Sequence, residues 1–539
     1  MSTFEERLES FVMSRPSLAQ ILRRRVIPGY SSQDFWEKGR KRLVERAKRA
    51  LSKTGFGRIP AYRQFVLDLG LDPNDLARRL TTANFSTVLP IIDKKSYSVR
   101  YHPEDRCIFA PSQSRSIVES SGTTGEPVTY YKTLEELEEF ERQFEVHLLG
   151  LGLGQVPLFV NLSFAFGIWP SGRLLTEVLR IIMARRGFGG KPKYALYLAT
   201  PGADTKVSAR VLTRNLELLS RKKGLRALLP GYPPTLKTVL ELAKDQVDLR
   251  HSDIYLAPGG EGYTIPWLLY VARELLGFDP WEGRNLDRIR GGYGAVDIGS
   301  VGSTETPLTG LTRLLAWEDK ALCRDLFEGD DVPTLTQAIP TVFFPEVVDG
   351  EAIVTTGSAI RYNIHDRAKL LEYPVVINAL RDHGYDPFSM LLERGYEPWE
   401  FWKAPFLVVH GRSDGTVSFG GALVYPSNVA AALNHPKLAS TNTGNFRMQV
   451  LYDESHNLSG LEIVIEIGPG VVAVEIIEEE YRRCVLQTLL DLNAEFADSY
   501  EKQRMAKLDR GEGDQALFVK LRGFGSREFA EKGIKFRYT

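Results

Sequence analysis

The chain contains little cysteine and few histidines, and neither residue type is clustered. Its 539 residues include 3 cysteines, Cys107, Cys323 and Cys484, which lie far apart. This spacing argues against a disulfide scaffold and a cysteine-based zinc site, so all three are predicted to be packed or partly buried thiols. The 8 histidines are scattered without a His-x3-His pair, which makes a metal site built from imidazoles a poor hypothesis.

Net charge and long apolar stretches are absent as well. The 68 basic and 68 acidic residues cancel, so no overall field favours nucleic acid or an anionic membrane. No apolar run approaches the ~18 residues of a membrane span, and the N-terminus lacks the basic-then-apolar order of a secretory signal. We therefore expect no nucleic-acid or membrane partner and a cytoplasmic location.

The length and the alternation of patterns predict an α/β protein of more than one domain. Residues 1 to about 55 show apolar positions at helical spacing and are predicted to form two or three surface helices. From about 85 to 410, β-branched runs alternate with helical patterns, which predicts parallel sheets covered by helices. The expected ligand crevice lies beyond the strand ends.

The pattern changes at residues 411–415, a Gly-Arg-Ser-Asp-Gly segment. Alternating strands at 446–451 and 461–467 follow, and one helix is predicted from about 474 to 500. We therefore expect a large N-terminal domain, residues 1–411, and a smaller α+β C-terminal domain, residues 412–539.

A glycine-rich segment between two strand-like runs predicts a phosphate-binding loop. It contains Ser121, Gly122, Thr123, Thr124 and Gly125. The glycines let backbone N–H groups turn inward and the hydroxyls add donors, an arrangement that binds polyanions. No Lys-Ser/Thr pair follows, so this is not a Walker A sequence, and an ordinary turn is the alternative for the loop taken alone.

The loop and four later segments together resemble the adenylate-forming superfamily of acyl-CoA synthetases, nonribosomal-peptide adenylation domains and luciferases. The loop resembles that family's phosphate loop, and the four later motifs follow in the family's order: 254–261 (Ile-Tyr-Leu-Ala-Pro-Gly-Gly-Glu), 291–297 (Gly-Gly-Tyr-Gly-Ala-Val-Asp), 361–367 (Arg-Tyr-Asn-Ile-His-Asp-Arg) and 411–415. Segments 59–63, 89–95 and 420–429 look like the phenylacetate-CoA ligase branch.

The resemblance implies a site for ATP. In relatives, the backbone of the segment matching Gly260 and Glu261 lies along the adenine, and the motif that contains Tyr293 and Gly294 supplies a ring that stacks on it. By the same resemblance Asp366 accepts from the ribose hydroxyls. The resemblance also implies a nucleotide contact for Arg412.

The resemblance further implies the catalytic groups. Thr124 and its neighbours would hold the β- and γ-phosphates, and Asp297 would hold Mg²⁺, which takes one or two carboxylates plus phosphate oxygens. A C-terminal lysine lies over the α-phosphate in relatives; Lys535, in a strand-like run, is our choice, and Lys532 is the alternative. Relatives swing a mobile C-terminal lid about the residue matching Asp414.

These motifs differ from the family pattern in three places. Val296 replaces a threonine that donates to the α-phosphate, and Asp297 replaces the usual glutamate. Residues 363–365, Asn-Ile-His, replace Arg-Thr-Gly. We interpret these as branch variation. His365 and His410 are expected to make local hydrogen bonds and are given no catalytic role.

The acyl pocket is predicted from segments that line it in relatives. Its expected residues combine aromatic rings with two glycines: Phe164, Phe166, Trp169, Tyr232, Gly259 and Gly292. Aromatic side chains suit a planar aryl acid, while packing in the core is an equal explanation for each of them.

The sequence thus predicts an AMP-forming acid ligase that uses ATP and Mg²⁺ to convert a small carboxylic acid, aryl acids included, to an acyl-adenylate with release of pyrophosphate. The acyl acceptor stays open among CoA, a carrier-protein thiol in trans and an amine. The alternative hypothesis is a catalytically weakened nucleotide-binding scaffold or sensor, for which Val296 is the main support.

Overall fold

The computed structural model describes the following residues of the chain: 31–109, 115–120, 128–150, 156–184, 194–260, 262–298, 300–330, 332–396, 400–412, 416–433, 435, 437–439, 441–453, 458–468, 471, 475–508, 516–526 and 529.

The helices and strands of this described part are numbered in chain order. The α-helices are α1 Ser32–Ala50, α2 Pro60–Asp68, α3 Pro73–Arg79, α4 Phe85–Val88, α5 Leu134–Gly150, α6 Pro170–Ala184, α7 Thr205–Leu219, α8 Pro233–Ala243, α9 Ile265–Tyr270, α10 Pro307–Glu318, α11 Lys320–Phe327, α12 Tyr373–Asp382, α13 Pro387–Glu393, α14 Pro426–Leu433, α15 Glu475–Leu492 and α16 Ala494–Leu508. The strands are β1 Ile92–Asp93, β2 Arg115–Ser120, β3 Val128–Thr133, β4 Leu158–Asn161, β5 Leu196–Ala199, β6 Arg226–Gly231, β7 Ile254–Pro258, β8 Gly292–Ala295, β9 Ser300–Thr304, β10 Thr334–Ala338, β11 Phe344–Val348, β12 Glu351–Thr356, β13 Ala359–Leu371, β14 Phe406–Arg412, β15 Val417–Phe419, β16 Ala422–Val424, β17 Asn442–Asp453, β18 Leu458–Ile467 and β19 Leu517–Arg522.

Contacts between these elements separate two compact units. The described residues 31–120 and 129–410 belong to the first unit, and those from Gly411 onward belong to the second. The first unit combines helix-covered sheets, and the second is a smaller α+β unit. The α/β fold class predicted from the sequence is therefore confirmed.

A four-stranded parallel sheet, in the order β5-β4-β6-β7, carries part of the predicted site. Its strands are short; β4, β6 and β7 are almost wholly buried and β5 is mostly half-buried, and helices α7 and α8 pack beside them. Strands β4, β6 and β7 end at Asn161, Gly231 and Pro258, so the turns that follow them meet at one edge.

The larger sheet differs from the expectation of parallel sheets. Its eight strands run β11-β12-β13-β14-β10-β9-β8, with β1 paired to β13. The pairs β8–β9, β9–β10, β10–β14, β11–β12 and β12–β13 are antiparallel, and β1–β13 is parallel. Alternating strand and helix patterns predict parallel pairing only where a helix separates two neighbours, and here β11, β12 and β13 follow one another through short turns.

Helix α1 is an amphipathic helix, in agreement with the helical spacing of apolar positions in the sequence. Its capping box at Ser31 and Asp34 begins the helix, and Phe35, Trp36 and Leu43 are among the residues buried on one face. The opposite face keeps Lys41 and Arg42 exposed, as an amphipathic helix should. Only this helix of the segment 1–55 lies within the described residues.

The second unit has its own core. Strands β17, β18 and β19 form a sheet, with β18–β19 parallel, and α14, α15 and α16 pack against it. The single helix expected from 474 to 500 is wrong, because Asn493 separates two helices. Its side chain accepts from the N–H of Phe496 at 2.9 Å and so caps the start of α16.

Two sequence predictions on composition can be checked in the described residues. Cys107 and Cys323 are buried and Cys484 is half-buried, all as free thiols, which confirms the prediction of packed thiols. Among the described helices, none is both long and apolar enough to cross a membrane.

Candidate active site

The predicted phosphate loop connects β2 and β3, as the flanking patterns indicate. The loop residues Ser121, Gly122, Thr123, Thr124 and Gly125 lie outside the described residues. The last residue of β2, Ser120, is buried, and its hydroxyl has no hydrogen-bond partner in the described part of the chain. A buried hydroxyl without a partner is costly, so this position suits a polar ligand group.

The glycine turn after β7 packs against an aromatic ring. Gly260 has φ +83°, and a Cβ there would lie 2.4 Å from Cε1 of Tyr232. Only glycine permits both the left-handed backbone and this close approach. The ring of Tyr232 stands perpendicular to that of Phe164, with centroids 5.0 Å apart. Glu261 lies outside the described residues.

The structure brings Tyr293 and Asp366 together. Tyr293 lies on β8, at the end of the large sheet, and Asp366 lies on β13. The Tyr293 hydroxyl donates to Oδ2 of Asp366 at 2.7 Å, although 73 positions separate the two residues. Both side chains are half-buried, and Gly294 follows directly on β8. The two groups predicted to contact adenine and ribose thus share one location.

Asp297 follows β8 in a short 3-10 turn, Val296–Ile298, and two tyrosines hold its carboxylate. The hydroxyls of Tyr130 and Tyr362 both donate to Oδ1, the latter at 2.8 Å. Burial raises the pKa of both phenols well above the usual value, so each stays protonated as a donor. The Tyr362 hydroxyl also lies 3.1 Å from Oγ of Ser98.

This arrangement fits a magnesium ion bound together with phosphate oxygens. Both tyrosines use Oδ1, and within the described residues Oδ2 of Asp297 makes no hydrogen bond. No group of three or more metal-ligating side chains occurs among the described residues. If such an ion binds here, Asp297 would hold it through one carboxylate oxygen, as suits Mg²⁺ bound mainly by phosphate oxygens and water.

The backbone at His365 is left-handed, at the position where the motif that this sequence resembles has glycine. His365 has φ +61°, in the left-handed region. Its ring nitrogens lie 3.4 Å from carboxylate oxygens of Asp93 and Glu351. Hydrogen bonding from His365 lowers the pKa of Asp93 below its usual value. These local contacts agree with the expectation that His365 has a structural role.

An apolar cavity lies beside these residues in the first unit. It encloses about 810 Å³ of empty space, its open mouth included. Phe164, Gly259 and Gly292, three of the predicted pocket residues, line it. The ring of Tyr232 contacts that of Phe164, whereas Tyr232, Phe166 and Trp169 are not part of the lining. Phe166 instead lies over Gly202, where a Cβ would be 3.1 Å from its ring.

Several residues of this cavity were missed by the sequence analysis. They are Phe144, Leu175, Arg290, Gln337 and Trp402. Of these, Arg290 directly precedes the Gly-Gly-Tyr motif. Its charge and its position next to a motif were signals from which it could have been predicted. The other four come from distant segments without a shared pattern.

A buried ion pair fixes the start of β8 beside the cavity. Arg313 and Glu305 are both buried, with Nη1 of the arginine and Oε1 of the glutamate 2.5 Å apart. The other oxygen of Glu305 accepts from the N–H of Gly291 at 2.7 Å and from the hydroxyl of Tyr263. The carbonyl of Glu305 accepts from Nε of Arg290 at 2.5 Å. This network holds the residues that precede Tyr293.

The remaining predicted residues are placed in part. Arg412 ends β14, but its side chain lies outside the described part, as do Asp414, Lys532 and Lys535. For these residues the sequence-based roles stay predictions.

Comparisons with known proteins found likenesses among solved structures. The chain aligns with 2-hydroxyisobutyryl-CoA ligase in the postadenylation state at 15% identity, over 92% of this chain and 86% of that chain, with a TM-score of 0.48. It aligns with GH3.15 acyl acid amido synthetase at 15% identity, over 92% and 88% of the two chains, with a TM-score of 0.40. A third likeness is to McyG A-PCP complexed with phenylalanyl-adenylate, at 13% identity over 93% and 86%, with a TM-score of 0.35.

No family model and no curated protein matches the chain. Because identity with the solved structures is low, the function proposed below rests on the motifs and on the geometry of the site.

Proposed function

We propose that this protein is an AMP-forming acid ligase of the adenylate-forming superfamily, in its phenylacetate-CoA ligase-like branch. It activates a small carboxylic acid with ATP to an acyl-adenylate, releases pyrophosphate and passes the acyl group to an acceptor. The observation that carries the proposal is the hydrogen bond between Tyr293 and Asp366, because Tyr293 lies on strand β8, whose Gly292 also lines the apolar cavity.

The arrangement of β8 supports both halves of the adenylation reaction. Gly292 lines the cavity, the next residue is Tyr293, and Asp297 follows after one turn. An acid in the cavity and a nucleotide along Tyr293 would therefore meet at this strand. Holding the acid oxygen against the α-phosphorus converts a bimolecular step into one between positioned groups, which lowers the barrier.

Charge stabilisation is the second requirement, because negative charge develops on the phosphate oxygens and the leaving pyrophosphate. Asp297 would hold Mg²⁺, which neutralises that charge when it is bound. The hydroxyls and backbone N–H groups of residues 121–125 would bind the β- and γ-phosphates. Lys535, with Lys532 as its alternative, would stabilise the α-phosphate, and Asp414 would serve as the hinge for the acyl-transfer step.

The acceptor is proposed as CoA, a carrier-protein thiol in trans or an amine. The similar solved structures include a ligase crystallised with 2-HIB-AMP and CoA, an acyl acid amido synthetase and an A-PCP protein with an aminoacyl-adenylate. Each of these names one of the acceptor classes that the sequence left open. A cytoplasmic location remains a prediction.

The test is acid-dependent exchange of labelled pyrophosphate into ATP across a panel of aryl and alkyl acids. Replacing Thr123 and Thr124 by alanine removes two donors to charged oxygens, each contributing ~1.5–3 kcal/mol, so the double variant should lose exchange while staying folded by circular dichroism. The matched control replaces Thr82 and Thr87, which are exposed, by alanine and should keep full exchange.

Two results would contradict the proposal. Full exchange in the double variant would contradict the role of residues 121–125 as a phosphate-binding loop. ATP binding without exchange for any acid would favour the alternative of a catalytically weakened nucleotide-binding scaffold, which Val296 suggests.

A further inference from the structure

The polar side chains that line the apolar cavity are hydrogen-bonded to other described residues, and in one of them some of the donors are not. Ser303 Oγ lies 2.8 Å from Oγ1 of Thr336, and Thr304 donates to backbone carbonyls. Gln337 donates to two backbone carbonyls at 2.8 and 3.0 Å. The exception is Arg290, whose terminal nitrogens make no hydrogen bond to any described residue.

Arg290 is a buried cation on the cavity wall. The residue is 6% exposed, and its Nε donates to the carbonyl of Glu305 at 2.5 Å, which fixes the plane of the guanidinium. The guanidinium carbon lies 5.9 Å from the centre of the Trp402 ring, another lining residue. An apolar ligand that filled the cavity would displace water from these N–H groups and leave them unsatisfied.

The charge of Arg290 is balanced inside the protein. Burial lowers the pKa of Arg290, while the nearby carboxylates Asp287, Glu305 and Glu400 raise it. Two of these carboxylates have their own partners, since Arg313 pairs with Glu305 and Arg284 with Glu400. Asp287, whose Oδ1 accepts from the Tyr396 hydroxyl at 3.0 Å, is the carboxylate that raises the pKa of Arg290 most, so it offsets part of the guanidinium charge. The terminal nitrogens of the guanidinium still lack hydrogen-bond acceptors, and a neutral oxygen would supply one without adding a charge to a buried site.

Along the backbone, Arg290 precedes the segment at which we propose that the acid is activated. Its backbone N–H donates to the carbonyl of Leu256 at 3.0 Å, and Gly259, at the end of β7, comes three residues later. At about 3.3 Å per strand residue this separation is ~10 Å. Tyr293, which we propose contacts the nucleotide, comes three residues after Arg290 and therefore also lies further along the strand.

We propose that the cavity binds an apolar monocarboxylic acid that carries a neutral oxygen acceptor, such as an ether, ketone or hydroxyl, at the end remote from its carboxylate, and that Arg290 binds this oxygen. The inference rests on the proposed function and defines its substrate class. A site built to hydrogen-bond a substrate oxygen rejects the analogue that lacks it, because the protein's buried donor is then left unpaired.

The experiment compares two sets of acids of similar shape: 3-phenylpropanoic acids with a 4-methoxy, a 4-ethyl or a 4-carboxylate substituent, and alkanoic acids with an ω-methoxy or an ω-ethyl group. Two quantities are measured with the full chain: kcat/KM for pyrophosphate exchange, and the dissociation constant of each acid by calorimetry without ATP. We expect the methoxy acids to have a kcat/KM at least about tenfold higher, and a dissociation constant at least about tenfold lower, than their apolar partners, and the carboxylate to give no gain.

The variant Arg290→Met removes the donors while keeping a long side chain, and it should bring the methoxy-to-ethyl ratio to about one. Because Asp287 would then lack its balancing charge, the double variant Arg290→Met/Asp287→Asn is made in parallel. Arg288→Met is the matched control: Arg288 donates to carbonyls of residues 252 and 254 and does not line the cavity, so the ratio should stay at the wild-type value.

The outcomes separate this inference from the proposed function. A wild-type ratio near one, in binding or in exchange, would overturn the inference. Equal loss for both acids in Arg290→Met, with the ratio unchanged, would also overturn it, because Arg290 would then hold the activated carboxylate. Absence of exchange with every acid would contradict the ligase function. The ratio of dissociation constants would still decide whether Arg290 selects an oxygen acceptor.

Discussion

At the scale of single residues, the position of the Asp297 carboxylate depends on two tyrosine hydroxyls. Both donate to the same oxygen, and both come from other strands, β3 and β13. Hydrogen bonds to a charged acceptor fix its orientation more strongly than those between neutral groups. Tyr130 and Tyr362 are therefore positioning residues for the proposed magnesium site.

Tyr362→Phe should weaken metal binding and stability together. The change keeps the ring and removes one donor to a carboxylate, which costs ~1.5–3 kcal/mol. We expect Mn²⁺, bound together with ATP and followed by electron paramagnetic resonance, to bind at least about tenfold more weakly. The matched control is Tyr373→Phe, because the buried hydroxyl of Tyr373 has no hydrogen-bond partner among the described residues. Equal effects of the two variants would contradict the role of Tyr362.

His365 combines backbone strain with favourable side-chain contacts, and two variants separate them. A left-handed non-glycine residue costs roughly 1–2 kcal/mol, whereas each partly exposed ion pair contributes roughly 0.2–1 kcal/mol. His365→Gly should therefore change the free energy of unfolding little, because the loss of the stabilising contacts is offset by the loss of the strain. His365→Ala should be clearly less stable, since it keeps the strain. Urea denaturation at pH 7 measures both, and identical losses would mean that strain is negligible.

The same cluster predicts a pH dependence. The pKa of Asp93 is lowered in the folded protein, mainly by hydrogen bonding from His365. Its contribution to stability is therefore present above the usual aspartate pKa of about 3.9 and is lost as the pH falls below that value. In His365→Ala this loss of stability in acid should be smaller than in the wild type, measured by urea denaturation between about pH 5 and pH 3.

At the scale of elements, the turn after β7 depends on glycine for two reasons at Gly260. Gly260→Ala adds the cost of a left-handed alanine, roughly 1–2 kcal/mol, and a contact with Tyr232 that costs roughly 1–3 kcal/mol more. Displacing Tyr232 also disturbs Phe164 on the cavity wall, so acid binding should weaken.

The control for this variant is Gly55→Ala. Gly55 has φ +86°, close to the +83° of Gly260, and open space where its Cβ would lie. It should therefore show the backbone cost alone and leave acid binding unchanged. Calorimetry of acid binding and urea denaturation distinguish the two variants; the steric argument fails if they are equally stable.

At the scale of the whole molecule, each unit has a core of its own. The core cluster of the second unit is formed by residues 419–521 and includes Phe446, Ile463 and Leu517. The sheet β17-β18-β19 lies within the same stretch. The pairing of β19 with β18 places the last strand of the stretch beside a strand from its middle. A closed core of this kind is a condition for independent folding.

We predict that a fragment of residues 416–539 folds by itself and unfolds cooperatively. Ile463→Ala in the fragment should cost ~2–5 kcal/mol, since the side chain is fully buried. Leu451→Ala, at a position that is 37% exposed, should cost much less. Thermal unfolding followed by circular dichroism measures all three, and a fragment without cooperative unfolding would contradict the prediction.

The amino-acid sequence by itself determined the local features of this protein. The strands at 158–161 and 254–258 and the helices at 170–184 and 205–219 agree with the sequence patterns, because apolar periodicity reports which face of a local element is buried. The order of five motifs also placed Tyr293, Asp297 and Asp366 in one predicted site, since motif residues are defined by their neighbours in the chain.

Only the tertiary structure decided what depends on distant residues. The antiparallel pairing of the large sheet, the hydrogen bonds of Asp297 with Tyr130 and Tyr362, and the exposure of Arg290 to the cavity join segments far apart in the chain. Local periodicity carries no record of such contacts, because they arise from how whole elements pack together. Among the described residues that line the cavity, Ser303, Thr304 and Gln337 are hydrogen-bonded to their neighbours, whereas the terminal nitrogens of Arg290 make no hydrogen bond. That difference follows from packing alone, and we propose that a ligand oxygen is bound there.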